Sequence, residues 1–460
     1  MVGPPTGPPG PPRGTKGTPP ASPKPRRISL SVRVPSPEQL SAGNRPLKRF
    51  LLRTVQYTAI VVGTLVLVDL VCIAAGLFPP TYDRGDAALG WVAFKPTGSM
   101  HDDRCTEFST GEAFAYVRNE DGIRTESPRQ EILNDRTNLR IAVSGDSQTD
   151  LCAPNGLTHP GVLERALDSA RLSAVVLAYG AGRYSPLQDY LVYKTVLRKY
   201  EPAVFVLNLY TGNDFYDILR VDDRPHFVRA DSGYVIAPPV WYLYDAPGLR
   251  RHSRVLFALR SLAKRTGFLG LTQRLRLLRA AAAEQGRGLA TVLTYMNDLR
   301  KSAEPTVGYP SAFSAQILNQ QLFFHHFPDS RAEAVRRVRA LLELVRRENP
   351  ALVLVLSPLP SYQLVQQQPV DQALLRTLTR LPITYDGGVK DERALYDTLR
   401  VLAEETGWLF VDNLRALQAY DGPERLYNDF DYHLLPVASE LIGRAQAEVL
   451  LRHLQPAPAR

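Results

Sequence analysis

Ile141-Ala-Val-Ser-Gly-Asp-Ser-Gln-Thr149 is the stretch that decides how this 460-residue chain folds. The apolar run that begins at Leu139 stops abruptly at Gly145-Asp146-Ser147, the pattern of a buried strand ending in a turn. A serine at a strand-to-helix turn stands at the C-terminal edge of a sheet, with helix N-terminal amides nearby to receive negative charge. Ser147 is therefore a candidate nucleophile. Three residues recur by chance, so the weight falls on what stands downstream.

Four more apolar, β-rich runs follow the first at 139–144: 173–178, 203–210, 351–357 and 408–412. Stretches with helical spacing separate them, at 158–170, 187–199, 330–349 and 391–405. Alternating strand and helix predicts a parallel, doubly wound α/β sheet. Gly180-Ala-Gly182 follows the second run and Gly212-Asn213-Asp214 the third, while Asp431-Tyr432-His433 comes after the fifth. All the candidate residues thus fall at or beyond strand C-terminal ends, where open α/β sheets build their sites.

This ordered set, over about 139–454, resembles the SGNH (GDSL-type) hydrolase family. Asp86-Ala-Ala-Leu-Gly-Trp91 and Asn119-Glu-Asp-Gly-Ile-Arg124 also resemble the segment preceding this domain in membrane-anchored bacterial members. The resemblance implies a flavodoxin-like, three-layer fold. It also implies Ser147 as nucleophile, His433 as base, and an oxyanion hole made by the Ser147 and Gly182 amides and the Asn213 side chain. Asp431 would orient His433.

The chain departs from the family pattern at the acid, in the second block, and in the third block, where the glycine stands next to Asn213 and Thr211 takes its usual place. The acid usually stands three residues before the histidine, where this chain has Phe430; Asp431 is two before, with Asp429 as the fallback. The second block, Leu177-Ala-Tyr-Gly-Ala-Gly-Arg-Tyr184, lacks the usual asparagine and leaves Gly182 or Gly180 to serve.

Charge is concentrated at the N-terminus. Residues 1–53 carry ten Lys/Arg against Glu38 alone and so account for the whole formal charge of +9; the rest of the chain is balanced. That distribution, with no zinc-finger spacing or aromatic-basic repeat, argues against a nucleic-acid-binding protein. Thirteen of the 37 prolines also lie before residue 47, which predicts a disordered tail over 1–54. The apolar run 55–78 then predicts one transmembrane helix, long enough at about 1.5 Å per residue to cross a bilayer. Arg45, Lys48, Arg49 and Arg53 before it place the tail in the cytoplasm of a bacterial inner membrane. The main domain would be periplasmic or extracellular. Asp69 within the span suggests a membrane partner or self-association, or is tolerated by snorkelling.

Residues 79–138 are a lead-in expected to pack on the domain of 139–455, whose pattern breaks over about 222–329, a helical insertion with a basic stretch at 252–284. Cys105 and Cys152 both fall on the exported side and are expected to pair, while Cys72 lies in the span. His325-His326 and His101-Asp102-Asp103 each lack a second half at metal-site spacing, so no metal or cofactor is expected. The resemblance, with this topology, implies an exported serine esterase or O-acyltransferase acting on acyl esters of an envelope glycan or on a small ester. The alternative is a non-catalytic SGNH-like assembly or glycan-binding protein.

Overall fold

The five apolar runs pair side by side in a computed structural model that describes residues 37–74, 84–86, 88–92, 100–106, 113–220, 224–231, 233–239, 320, 324, 328–367, 387–428 and 432–454. The chain divides into two units, Met1–Val66 and Leu67–Arg460. In the first, helix α1 (Pro37–Ala74) begins inside the tail expected to be disordered and continues beyond the unit. The transmembrane helix expected at 55–78 falls partly outside the described residues. Among the described residues no helix is long and apolar enough to cross a membrane. The described side chains of α1, from Phe50 to Val71, are exposed and mostly apolar, with Arg53 and Gln56 near the start, but the side chains of Leu51, Asp69 and Cys72 and all of 75–78 lie outside the described residues.

In the second unit two short antiparallel pairs come first: β1 (Arg84–Asp86) with β2 (Gly90–Val92), and β3 (His101–Thr106) with β4 (Ala113–Arg118). Helix α2 (Arg129–Asn134) leads into the main sheet. Its strands are β5 (Leu139–Gly145), β6 (Ala174–Gly180), β7 (Val204–Tyr210), β10 (Val353–Leu359) and β11 (Leu409–Phe410). All neighbours are parallel, in the order β11-β10-β7-β5-β6. In chain order that is 2-1-3-4-5, the flavodoxin-like arrangement, whose switch point lies between β5 and β7. A third antiparallel pair, β8 (His226–Ala230) with β9 (Gly233–Ala237), follows β7.

The period of two along each strand sorts its side chains onto opposite faces. Ala142, Leu177, Phe205 and Leu354 pack with residues of α4 (Pro186–Thr195), α6 (Pro328–Glu348) and α8 (Gly388–Thr406). Ile141, Val143, Val176, Val204 and Val355 pack with α3 (His159–Ser169) and α10 (Pro436–Leu454). These are the three layers. Strands covered on both faces must be apolar throughout, which is why they read as continuous runs. Helix starts follow local chemistry as well: Ser185 and Gln188 form a capping box before α4, with Pro186 at its first turn. Three short helices complete the unit: α5 (Asp214–Asp217), α7 (Tyr362–Gln366) and α9 (Asn413–Gln418). Most of the helical insertion expected at 222–329, including the basic stretch and His325-His326, lies outside the described residues.

Candidate active site

Ser147 occupies a closed turn and not the start of a helix. Thr149 and Asp150 both donate from their backbone N–H to the Asp146 carbonyl at 3.1 Å, and Gln148 N–H donates to Asp146 Oδ1 at 2.9 Å. The helix expected over 158–170 follows as α3 after a 3-10 turn (Asn155–Leu157), so no helix N-terminus stands at Ser147 itself. Ser147 is left half-buried where the sheet ends. Gly180, in register with Gly145, closes in on this turn. A Cβ on Gly180 would lie 2.6 Å from Asp150 N and 2.9 Å from Asp146 O, so a side chain there would force the turn to move.

What draws the chain aside after Ser147 is the lead-in segment. Arg118 pairs with Asp150 at 2.6 Å, and Arg124 donates to the carbonyls of Leu151, at 2.6 Å, and of Ala153. Both guanidinium groups are buried, and Tyr116 lies beneath them with centroids 5.1 and 4.1 Å away. Cys105 of β3 is disulfide-bonded to Cys152. The lead-in also adds an edge to the sheet, where Arg124 N–H donates to Ala178 O of β6.

The oxyanion side is built from the ends of β6 and β7. Gly182 follows β6, and a Cβ there would meet nothing within 4 Å, so its surroundings are open. Asn213 is buried just before α5, and its Nδ2 donates to Asp217 Oδ2 at 2.8 Å. One amide N–H is thereby committed and the amide plane is held. Asp217 is itself paired with Arg224 at 2.9 Å, both side chains being 1% exposed. The indole of Trp91, from the lead-in, faces the Arg224 guanidinium at 5.3 Å.

His433 sits in a loop that returns to its own base as a narrow hairpin: Tyr427 bridges Leu434, Asn428 N–H donates to His433 O at 3.0 Å, and Leu435 N–H to Leu426 O at 2.9 Å. Tyr432 has a left-handed backbone, φ 55°, and its ring stacks on Tyr362 at 4.7 Å. Gln148 joins this loop to the Ser147 turn. Gln148 Nε2 donates to Tyr432 O at 3.2 Å, and Leu434 N–H donates to Gln148 Oε1 at 3.0 Å. His433 Nε2 is shielded from solvent. Asp431 and the fallback Asp429 lie outside the described residues. Ser147, Gly182, Asn213 and His433 are thus gathered at one edge of the sheet.

Burial governs the electrostatics here. It pushes the Asp146 carboxyl up to about 6, against the Gln148 N–H, the charge on His433 and the Asn213 amide, which favour its anion. Asp189 and Asp214 are pushed well above the carboxylate range by burial and then by Asp146. Neighbouring buried carboxyls cannot all ionise. Beneath the turn runs a buried polar chain. Asn208 donates to Thr149 Oγ1 at 3.0 Å, while Gln446 Nε2 donates to Asn208 Oδ1 at 3.1 Å and Ser357 Oγ at 2.8 Å. His159 neighbours Gln148 and Gln446, and burial pushes it down to about 4.

Sequence patterns pointed to neither Gln148, Asp217, Arg118 nor Arg124. Gln148 carried a signal in its place next to Ser147, and Arg124 in closing the segment 119–124. Among the described residues no group of three or more His, Cys, Asp or Glu could hold a metal ion. A cavity of about 450 Å³ lies beside the His433 hairpin, lined by Tyr362, Gln366, Gln418, Tyr420, Arg425 and Tyr427 among others.

No family model and no curated protein matches this chain. Among solved structures it is similar to a lipase/acylhydrolase from Enterococcus faecalis, at 10% identity and a TM-score of 0.31, over 70% of this chain and 99% of that one. It is likewise similar to an acetylxylan esterase from Geobacillus stearothermophilus, at 12% identity and a TM-score of 0.31, over 70% of this chain and 97% of that one. An alpha/beta hydrolase enzyme from the metagenome of Lake Arreo, Spain, matches at 10% identity and a TM-score of 0.31, over 69% and 97%. At such scores the fold assignment rests on the chain's own parallel strand order.

Proposed function

We propose that this chain is an SGNH-type serine esterase or O-acyltransferase. The observation that carries the proposal is the contact between a turn bearing Ser147 and a loop bearing His433, made through Gln148 across 284 and 286 residues of sequence. A nucleophile and a base brought together at the open edge of a parallel sheet, beside a buried asparagine amide, form the arrangement acyl transfer needs.

In this mechanism Ser147 Oγ attacks the ester carbonyl carbon and its proton passes to His433. The carbonyl electron pair moves onto oxygen, which takes hydrogen bonds from the Ser147 and Gly182 amides and from Asn213. Collapse breaks the bond to the alcohol, which leaves with the proton from His433, and the acyl group stays on Ser147. Water or a sugar hydroxyl then reverses the sequence: water gives hydrolysis, a sugar hydroxyl gives transfer. Asp431 is assigned to hold the imidazole tautomer.

An acylated envelope glycan is the proposed substrate. Tyrosine rings beside amide and guanidinium groups in the cavity next to the His433 hairpin suit a sugar ring, which offers both C–H faces and hydroxyls. The apolar run at 55–78, with basic residues before it, supports a single-pass anchor with this domain exported. Protease added to intact spheroplasts is expected to digest the domain and spare the tail; the reverse would overturn that orientation.

The reaction is tested by exposing the full-length chain to a fluorophosphonate, which reports an activated serine without knowledge of the substrate. Wild type is expected to be labelled at Ser147 and Ser147→Ala not at all. No labelling of folded wild type would favour a non-catalytic binding protein.

A further inference from the structure

We infer that Gln148 is a positioning residue that sets the distance and angle between His433 and Ser147, an inference that rests on the proposed esterase site. The side chain is fully buried, and both of its polar atoms are spent on the backbone flanking the base. Its Nε2 donates to Tyr432 O at 3.2 Å, and its Oε1 accepts from Leu434 N–H at 3.0 Å. The two bonds straddle His433, so a single planar amide grips the loop on either side of the base.

A purely structural role, holding the loop together, is already filled by other groups. The Tyr427 and Leu434 bridge, with the bonds from Asn428 N–H to His433 O and from Leu435 N–H to Leu426 O, closes the hairpin without Gln148. What Gln148 adds is the connection to the other half of the site. Its own backbone is pinned too, since its N–H donates to Asp146 Oδ1 at 2.9 Å within the turn that presents Ser147. Nucleophile and base are therefore referred to one rigid amide plane. Without it the hairpin would persist but slide or tilt against the turn. A displacement of 1 Å between reacting groups costs on the order of 10²-fold in rate.

The geometry also explains the backbone of Tyr432. A tyrosine at positive φ is unfavourable by itself, and a carbonyl held by an internal donor is one way to stabilise it. Stacking on Tyr362 is the other.

Two variants of the full-length chain test the assignment, read by the rate of fluorophosphonate labelling and by hydrolysis of 4-nitrophenyl acetate. Gln148→Met keeps the volume and removes both bonds. It is expected to lower kcat and the labelling rate about 10²-fold with KM nearly unchanged, because the loss is one of alignment and not of binding. Gln148→Glu keeps the acceptor for Leu434 N–H and replaces the donor to Tyr432 O with a carboxyl that donates only while protonated. Its pH–rate profile is expected to gain a descending limb as the carboxyl ionises against the Tyr432 carbonyl, where wild type levels off. A role confined to stability would move the unfolding midpoint and leave this profile alone.

Wild-type labelling at Ser147 with an equal rate in folded Gln148→Met would overturn the inference and leave the esterase proposal standing. Where Gln148→Met does not fold, a Gln148→Glu profile of wild-type shape overturns it instead. If wild type itself is not labelled, the esterase proposal fails, and this inference with it.

Discussion

The turn that presents Ser147 and the loop that carries His433 are anchored in opposite ways. The turn is tied to the rest of the domain on every side: Arg118 and Arg124 grip residues 150–153, the Cys105–Cys152 disulfide binds it covalently to β3, and Asn208 holds Thr149 from below. The loop is a hairpin whose described link to the turn is the Gln148 amide. Among the described residues the turn is tied to the lead-in and the sheet, and the loop to the turn, to Tyr362 and to Pro360. Substitutions should divide accordingly, those around the turn being felt first in stability and those in the loop first in turnover.

The largest expected effect lies in the loop and would sharpen this contrast by naming the acid. Asp431→Asn is expected to leave folding intact and lower hydrolysis of a small activated acetyl ester by about 10⁴-fold, the loss known when a triad histidine is held in the wrong tautomer. That corresponds to roughly 5.5 kcal/mol at about 1.36 kcal/mol per decade. Asp429→Asn should change little. Ser147→Ala and His433→Ala should each abolish turnover, and the double variant should be scarcely worse than either, because residues acting as a unit are not additive. An Asp429 effect larger than that of Asp431 would keep the mechanism and reassign its acid. A large drop in stability for Asp431→Asn would break the contrast between the two regions.

How much of this could be read beforehand follows the same division. The five strands of the main sheet were visible because strands covered on both faces leave unbroken apolar runs, and the structure displaced their expected ends by only a few residues. Ser147, Gly182, Asn213 and His433 could be placed at one edge because that edge follows from strand direction alone. The lead-in strands were not visible. His101–Thr106 reads His-Asp-Asp-Arg-Cys-Thr, with no apolar alternation, and it pairs with β4 through its backbone. Nor could the Gln148 bridge be seen, since nothing local marks a glutamine whose partners stand 284 and 286 residues away. The helix expected over 158–170 is found at His159–Ser169, but the ties from Arg118 and Arg124 that hold the intervening turn at 150–153 could not be seen, because they come from the preceding segment.

On the turn side the expected effects are on stability. The disulfide closes a loop spanning 47 residues, and chain-entropy arithmetic gives about 4 kcal/mol for such a length. Cys105→Ser combined with Cys152→Ser should therefore lower the denaturant midpoint markedly, while the variant that remains folded should turn over substrate within about tenfold of wild type, since Arg118 and Arg124 still hold the turn. A variant as stable as wild type but devoid of activity would reverse the comparison, making the turn the part tuned for rate.

The smallest effect tests what lies beneath the turn, and it depends on pH. His159 is fully buried next to Gln148 and Gln446, and burial holds its folded pKa down at about 4, against an unfolded value near 6.5. The sign follows from where the proton binds. Above about pH 6.5 neither state is protonated and the group contributes no pH dependence. Between about pH 6.5 and 4 the unfolded chain takes up a proton that the folded protein refuses, so stability falls as the pH falls. The loss should reach about 2 kcal/mol by pH 5. Asp146 works in the opposite direction, because its raised pKa lets the folded state hold a proton that the unfolded chain has released, so acidification from about pH 6 favours folding through that group. Wild type alone would therefore show the histidine effect offset by Asp146 and by Asp189 and Asp214, whose carboxyls are raised as well. The comparison that isolates the histidine is His159→Asn against wild type, with urea midpoints measured at pH 7 and pH 5. Whatever the variant costs at pH 7, its deficit should shrink by about 2 kcal/mol at pH 5, because it has no imidazole to protonate. An unchanged deficit at the two pH values would mean that His159 is hydrated or protonated in the folded protein, and that the floor of the turn is more open than its contacts suggest.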